Sequence, residues 1–197
     1  MPVELISQQS VGATLGAESL TKSLKAGLLG TLIVIIFMIV YYRLPGLLAA
    51  IALLVYAALT MAISKLIGVT LTLSGIAGVI MSIGMAVDAN VLIFERMKEE
   101  LRQGKSLKAA TEEGFLRAWP SIRDSNLSTL ITCVMLIWFG TSFVQGFAVT
   151  LTVGILVSMF TAITITRTMM RFVAPWFAEK GNVLFLGHKK EHLTTNN

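Results

Sequence analysis

Leu73-Ser-Gly-Ile-Ala-Gly-Val-Ile-Met-Ser-Ile-Gly-Met-Ala-Val-Asp-Ala-Asn-Val-Leu-Ile-Phe-Glu-Arg96 carries one acid, Asp88, deep inside an otherwise uncharged run that ends at Glu95 and Arg96. The run is too long and too apolar for an ordinary soluble helix and long enough to cross a bilayer. A carboxylate within such a span costs roughly 2.5–3.5 kcal/mol on insertion scales, so it is expected where it titrates, pairs or lines a water path. Asp88 precedes Glu95 by seven residues, about 10 Å of helix, which places it below the membrane interface. At about 100° per residue, Ser74, Ala77, Met81, Gly84 and Asp88 fall on one face, while Asn90 lies about 200° around from Asp88. Polar groups on two faces predict that this helix is central and that protein covers both sides. A carboxyl withdrawn from water disfavours its charged form, so Asp88 is expected to take up and release a proton. A static Asp hydrogen-bonded to a neighbouring helix is the alternative.

Working outward, the 197-residue chain is 55% hydrophobic and 14% charged, with a mean hydropathy of +0.78. Soluble domains carry about 25% charged residues. The expected fold is therefore all-α: a polytopic membrane bundle of five transmembrane helices at about 26–42, 47–64, 69–94, 125–143 and 147–166. A polar lead-in (1–25), a charged loop (95–123) and a polar tail (176–197) complete the chain. With the loop placed inside, 13 Lys and Arg are cytoplasmic and 3 (Lys22, Lys25 and Lys65) are outside. This bias predicts an outside N-terminus and a cytoplasmic C-terminus. The loop is expected to be helical along the membrane surface, in two pieces broken at Gly104. No apolar signal-peptide core follows Met1, so the first span is expected to direct membrane insertion.

Two further stripes of small polar residues are expected either to bond neighbouring helices or to line a wet path beside Asp88. One is Ser125, Ser128, Thr129 and Thr132; the other is Thr150, Gly154, Ser158 and Thr161. Asp124, beside Arg123, is read as an N-terminal cap of the fourth span. The net charge of +5 sits beside the apolar runs, which argues for topology and against nucleic acid. The two His, His188 and His192, lie in the tail, so no metal site is expected, and no cofactor motif occurs. Cys133 lies in an apolar run and is read as a small packing residue.

The quoted segment closely resembles the signature span of the SecD/SecF family, in the resistance-nodulation-division group of proton-driven transporters. Val11-Gly-Ala-Thr-Leu-Gly16, Tyr41-Tyr-Arg-Leu-Pro-Gly46, Phe139-Gly-Thr141 and Gly146-Phe-Ala-Val-Thr150 extend the likeness over about residues 3–175. The Asp-Ala-Asn-Val wording resembles the SecD branch more than SecF. The resemblance implies a non-enzymatic, multi-pass protein of the bacterial inner membrane that works with SecF and the SecYEG channel. It would use the proton gradient to assist a translocating polypeptide across the lipid bilayer. It also implies that Asp88 handles the proton, with Asn90 as a motif residue; Gly84, Ser74, Thr129, Thr132 and Ser158 are expected to support it. Full-length SecD has a further first span and a large periplasmic domain, so this chain is expected to lack both. The rival readings are another proton-driven exporter of the same group and an intramembrane aspartyl protease built on Asp88 and Asp124. The protease family's Gly-x-Gly-Asp pattern is missing around Asp88.

Overall fold

The computed structural model describes residues 13–69 and 72–173. The first 12 residues of the expected lead-in, the expected tail and both His lie outside the described residues. The elements are α1 (Ala13–Tyr42), α2 (Leu44–Ile67), α3 (Leu73–Arg102), α4 (Leu107–Phe139), α5 (Ser142–Phe160), a π-helical stretch (Thr161–Thr166) and α6 (Arg167–Val173). The last three are continuous, so five long helices make up the fold, with no strand among the described residues.

Local chemistry sets the helix ends. Arg43, at φ 54°, joins α1 to α2, and Pro45 occupies the first turn of α2, where its missing N–H costs nothing. Gly46 lies directly against the Met38 carbonyl, where a Cβ would not fit. Gly68 closes α2 in the left-handed conformation, its N–H bonding the Lys65 carbonyl at 3.2 Å. The Thr72 hydroxyl caps α3 by accepting from the Gly75 N–H at 3.1 Å, and Ser106 caps α4 by accepting from the Ala109 N–H at 3.3 Å. Ser106 therefore takes the capping role expected of Asp124. Asp124 is instead mid-helix and exposed, held by Arg123 Nε at 2.9 Å.

Residues 95–123 are helical in two pieces broken at Gly104, as expected, but the pieces are continuous with the neighbouring spans rather than a separate element. Their first part extends α3 to Arg102, and their second part is the charged half of α4, with Gly104 (φ 90°) in the connection. Among the described residues, four helices are long and apolar enough to cross a membrane: Gly16–Tyr42, Leu44–Ile67, Leu73–Arg102 and Ser142–Val173. The wholly apolar end of α4, Leu127–Phe139 apart from Ser128, Thr129 and Thr132, rises only about 20 Å before Gly140 stops it, against a hydrocarbon core of about 30 Å.

Helix α3 is central and packs on α1, α2, α4, α5 and the π stretch. Its closest partner is α5, because small residues meet there. Gly75, Gly78 and Ser82 face Gly146, Thr150 and Gly154, and a Cβ on Gly78 would lie 2.7 Å from the Phe147 carbonyl oxygen. The Thr150 hydroxyl lies 3.0 Å from the Gly75 carbonyl and shares its proton between it and the Phe147 and Gly146 carbonyls of α5, at 2.9 and 3.1 Å. Tyr56 of α2 donates to Ser82 at 2.6 Å, and Ser82 to the Val79 carbonyl at 2.7 Å. Close backbone approach and hydrogen bonds across helices are the main means of association in lipid.

Toward the charged end, Gly114 of α4 packs on the Met97 backbone, where an added Cβ would lie 2.9 Å from the Met97 Cα. Lys98 lies over the rings of Tyr41 and Tyr42 at 4.4 and 4.3 Å, which ties the end of α1 to α3. Glu100, 2% exposed, is held by Arg117 and by Lys105, the latter at 2.5 Å. It locks the α3–α4 connection.

Candidate functional site

Asp88 and Asn90 fall on opposite sides of α3, as the helical phase predicts. Asn90 is buried, and its Oδ1 accepts from the Thr166 hydroxyl at 3.0 Å. Its partner therefore comes from the π-helical stretch, the one segment of that long helix where the turn is widened. On its other side, Asn90 lines a small gap with Met38, Ala50 and Leu53 of α1 and α2.

Asp88 faces outward. Ala77, Met81, Gly84 and Asp88 are exposed, and of the expected face only Ser74 is buried, its hydroxyl 2.9 Å from that of Thr72. A Cβ added to Gly84 would meet nothing within 4 Å. Within the chain, then, protein covers only one of the two polar sides. The Asp88 carboxylate has no hydrogen-bond or ion-pair partner among the described residues. It lines a cavity of about 100 Å³ between α3 and α4, shared with Ser125, Asn126 and Thr129.

The remaining site candidates divide clearly. Thr129 joins the Asp88 cavity, with its hydroxyl bonded to the Ser125 carbonyl at 3.1 Å. Thr132 is exposed one turn on and bonds the Ser128 carbonyl at 3.0 Å, outside the cavity. Ser158 is buried and bonds the Ile155 carbonyl at 2.8 Å. Neither it nor Thr150 nor Gly154 lines the Asp88 cavity. The α5 stripe is a packing surface for the opposite flank of α3 and not a wet path beside Asp88. Asn126, which sequence reasoning missed, does line the cavity; its side chain donates to the Ile122 carbonyl at 2.9 Å. Its signal was the helical phase shared with Ile122 and Thr129, at spacings of four and three. Asp124 does not line the cavity with Asp88, so the paired carboxylates of an aspartyl protease are not assembled there. Among the described residues, no group of His, Cys, Asp or Glu is placed to hold a metal.

At the charged end, Glu112 of α4 receives Arg167 Nη2 at 2.8 Å and also Arg171 Nε. Bonds from Arg171 and then Arg167 hold its carboxyl down at about 2, so it is ionised throughout the physiological range.

A central helix with one bare carboxylate, small-residue packing on its far side and several spans long enough for a bilayer define a multi-pass membrane protein with a polar face left open. The chain matches the family described as protein export membrane protein SecD/SecF, C-terminal, over residues 2–175. It is 59% identical over 177 residues to the protein translocase subunit SecD of Thermobaculum terrenum, covering 88% of this chain and 34% of that protein. It is also 59% identical over 169 residues to SecD of Synechocystis, covering 86% of this chain and 36% of that protein. The crystal structure of SecDF, a translocon-associated membrane protein from Thermus thermophilus, superposes with a TM-score of 0.81 at 38% identity, over 87% of this chain and 24% of that one. The chain belongs to the SecD/SecF family, and it spans about a third of the length of the curated SecD relatives it matches.

Proposed function

We propose that this chain is the membrane part of a SecD subunit of the Sec export machinery, seated in the bacterial inner membrane with SecF and the SecYEG channel as partners. In this reading five helices span the bilayer, α4 with its apolar half, and the Lys and Arg bias puts the N-terminus outside and the C-terminus in the cytoplasm. The chain uses the proton gradient to assist a translocating polypeptide, and Asp88 handles the proton.

The observation that carries the reading is the unpartnered Asp88 carboxylate on an outward face that also holds Gly84. Lipid is a poor cover for an acid at that depth. Gly84 and Ala77 leave room for a helix backbone to approach closely, as interhelical contacts in membranes favour. A SecF helix is the natural cover. Ser125, Asn126 and Thr129 supply polar groups for water in the space that remains. Protonation changes the charge of this seam, and one elementary charge moved through 100 mV is worth about 2.3 kcal/mol, enough to bias two arrangements more than tenfold.

The test is Asp88→Asn in cells, scored by export of a secreted reporter and by the amount of the protein in the membrane. A strong export defect at normal abundance is expected; normal export at normal abundance overturns the proposal. Asp88→Glu keeps the acid and should retain part of the activity.

A further inference from the structure

A second cavity, of about 170 Å³, lies in the cleft between α4 and the π-helical end of α5, on a floor supplied by Ile93. Ile93 and Asp88 are five residues apart on α3, about 140° around the helix, so this cleft lies on another side of α3 from Asp88, with Ile122 of α4 as the wall the two cavities share. Its walls are Phe115, Leu116, Trp119, Ile163 and Arg167. The apolar members would suit a hydrocarbon chain, and Leu116 is 61% exposed, so the cavity is open along that side.

The polar rim is incomplete. Arg167 spends Nη2 on Glu112, and its guanidinium lies 5.8 Å from the Phe115 ring centroid. Its Nε is buried without an acceptor among the described residues. A buried donor left unmade is costly, and most costly when charged. The local charge also does not balance. Glu112 is ionised throughout the physiological range yet faces two guanidinium groups, Arg167 and Arg171, leaving one positive charge over. Trp119 adds the amphipathic ring that favours the headgroup level of a bilayer.

We propose that this cleft binds one anionic phospholipid, with an acyl chain between Leu116, Trp119 and Ile163 and the phosphodiester on Arg167. Basic pockets between membrane helices are suited to such headgroups. The lipid anion supplies the acceptor that Nε lacks and offsets the excess charge.

The test uses the full chain carrying Trp138→Phe and Trp176→Phe, so that Trp119 alone reports. It is reconstituted into phosphatidylcholine vesicles containing 20% brominated phosphatidylglycerol, or 20% brominated phosphatidylcholine as the neutral counterpart. Quenching of Trp119 should show phosphatidylglycerol preferred by about fivefold in relative association constant, as expected for one cation meeting a lipid anion. Arg167→Gln should remove the preference and leave quenching by the neutral lipid unchanged. Arg171→Gln removes the same charge outside the cavity but leaves the Arg167 Nε without an acceptor, so it should lower the preference less than Arg167→Gln does. Ile163→Phe retains every charge but narrows the cavity, and should reduce quenching by the anionic lipid. Equal quenching by the two lipids in the parent overturns the proposal. So does equal loss in Arg167→Gln and Arg171→Gln, which would mean a diffuse surface charge. If Arg167→Gln fails to fold, undiminished preference in Ile163→Phe overturns it independently.

Discussion

Two glycines on α3 should respond in opposite directions to the same methyl group. At Gly78 a Cβ would sit 2.7 Å from the Phe147 carbonyl oxygen and closer still to the Thr150 hydroxyl. Ordinary non-bonded contacts lie at about 3.5–4.0 Å, so α5 must retreat by about 1 Å to admit it. Overpacking of this kind costs about 1–3 kcal/mol. The retreat also stretches the bond from Thr150 to the Gly75 carbonyl, worth about 0.6 kcal/mol on average in a membrane protein. The helix propensity gained on replacing Gly with Ala returns up to about 1 kcal/mol, leaving Gly78→Ala destabilised by about 0.6–2.6 kcal/mol. At Gly84 nothing lies within 4 Å of the new atom, so only the propensity gain remains, and Gly84→Ala should be neutral to about 1 kcal/mol more stable. Equilibrium unfolding of the purified chain in mixed micelles with increasing SDS, followed by circular dichroism, measures both. Gly78→Ala matching or exceeding the parent would refute the packing argument, and so would equal losses at the two positions.

In cells the order should reverse at the exposed face. Gly84→Leu should leave the purified chain folded but lower both reporter export and co-purification with SecF; normal values of both would remove the case for a helix seated there. Thr166→Val should cost about 0.6–1.7 kcal/mol in the same unfolding assay by taking the hydroxyl from Asn90, and no change would mean the bond is not formed. Glu100→Ala leaves the Arg117 and Lys105 cations without their shared anion and should speed amide exchange across the α3–α4 connection; unchanged exchange there would show that the carboxylate does not hold it. The Glu112 carboxyl is lowered from the usual 4.5 to about 2, so its stabilising link from α4 to α6 is complete above about 4.5 and is lost as pH falls toward 2. Amide protection in α6, corrected for intrinsic exchange rates, should be flat from pH 8 to pH 5 and decline only below that. A decline already complete at pH 5 would contradict the ion-pair geometry.

Much of the framework is legible in the residues. The length of the Leu73 run, the Pro45-Gly46 break and the opposite phases of Asp88 and Asn90 lead to a central α3 between closely joined neighbours. The charged segment is helical and broken at Gly104 as expected, but its continuity with the spans is not legible, because helix propensity does not stop at a membrane surface. Glu95–Arg102 continues α3, and Ser106 starts α4 well before its apolar half, so a hydropathy boundary is not a helix boundary. The Thr150 and Gly154 stripe announces close packing, but periodicity cannot say which flank of α3 it meets; that depends on Gly75, Gly78 and Ser82 offering the matching groove. The outward aim of Asp88 is hidden for a similar reason. A polar residue that faces outward and one that faces the interior leave the same mark on a sequence.

The widened turn at Thr161–Thr166 bears on how this helix tolerates length changes. A π turn holds about one residue more than an α turn. It therefore acts as a stored insertion, taken up where Thr166 reaches Asn90 and leaving Arg167 and Arg171 aimed at Glu112. Removing a single residue from Thr161–Ile165 should let the helix close into regular α geometry while the two arginines keep their bearing. The same deletion a few turns earlier, within Gly146–Gly154, would rotate everything beyond it by about 100° and turn those arginines away from their carboxylate.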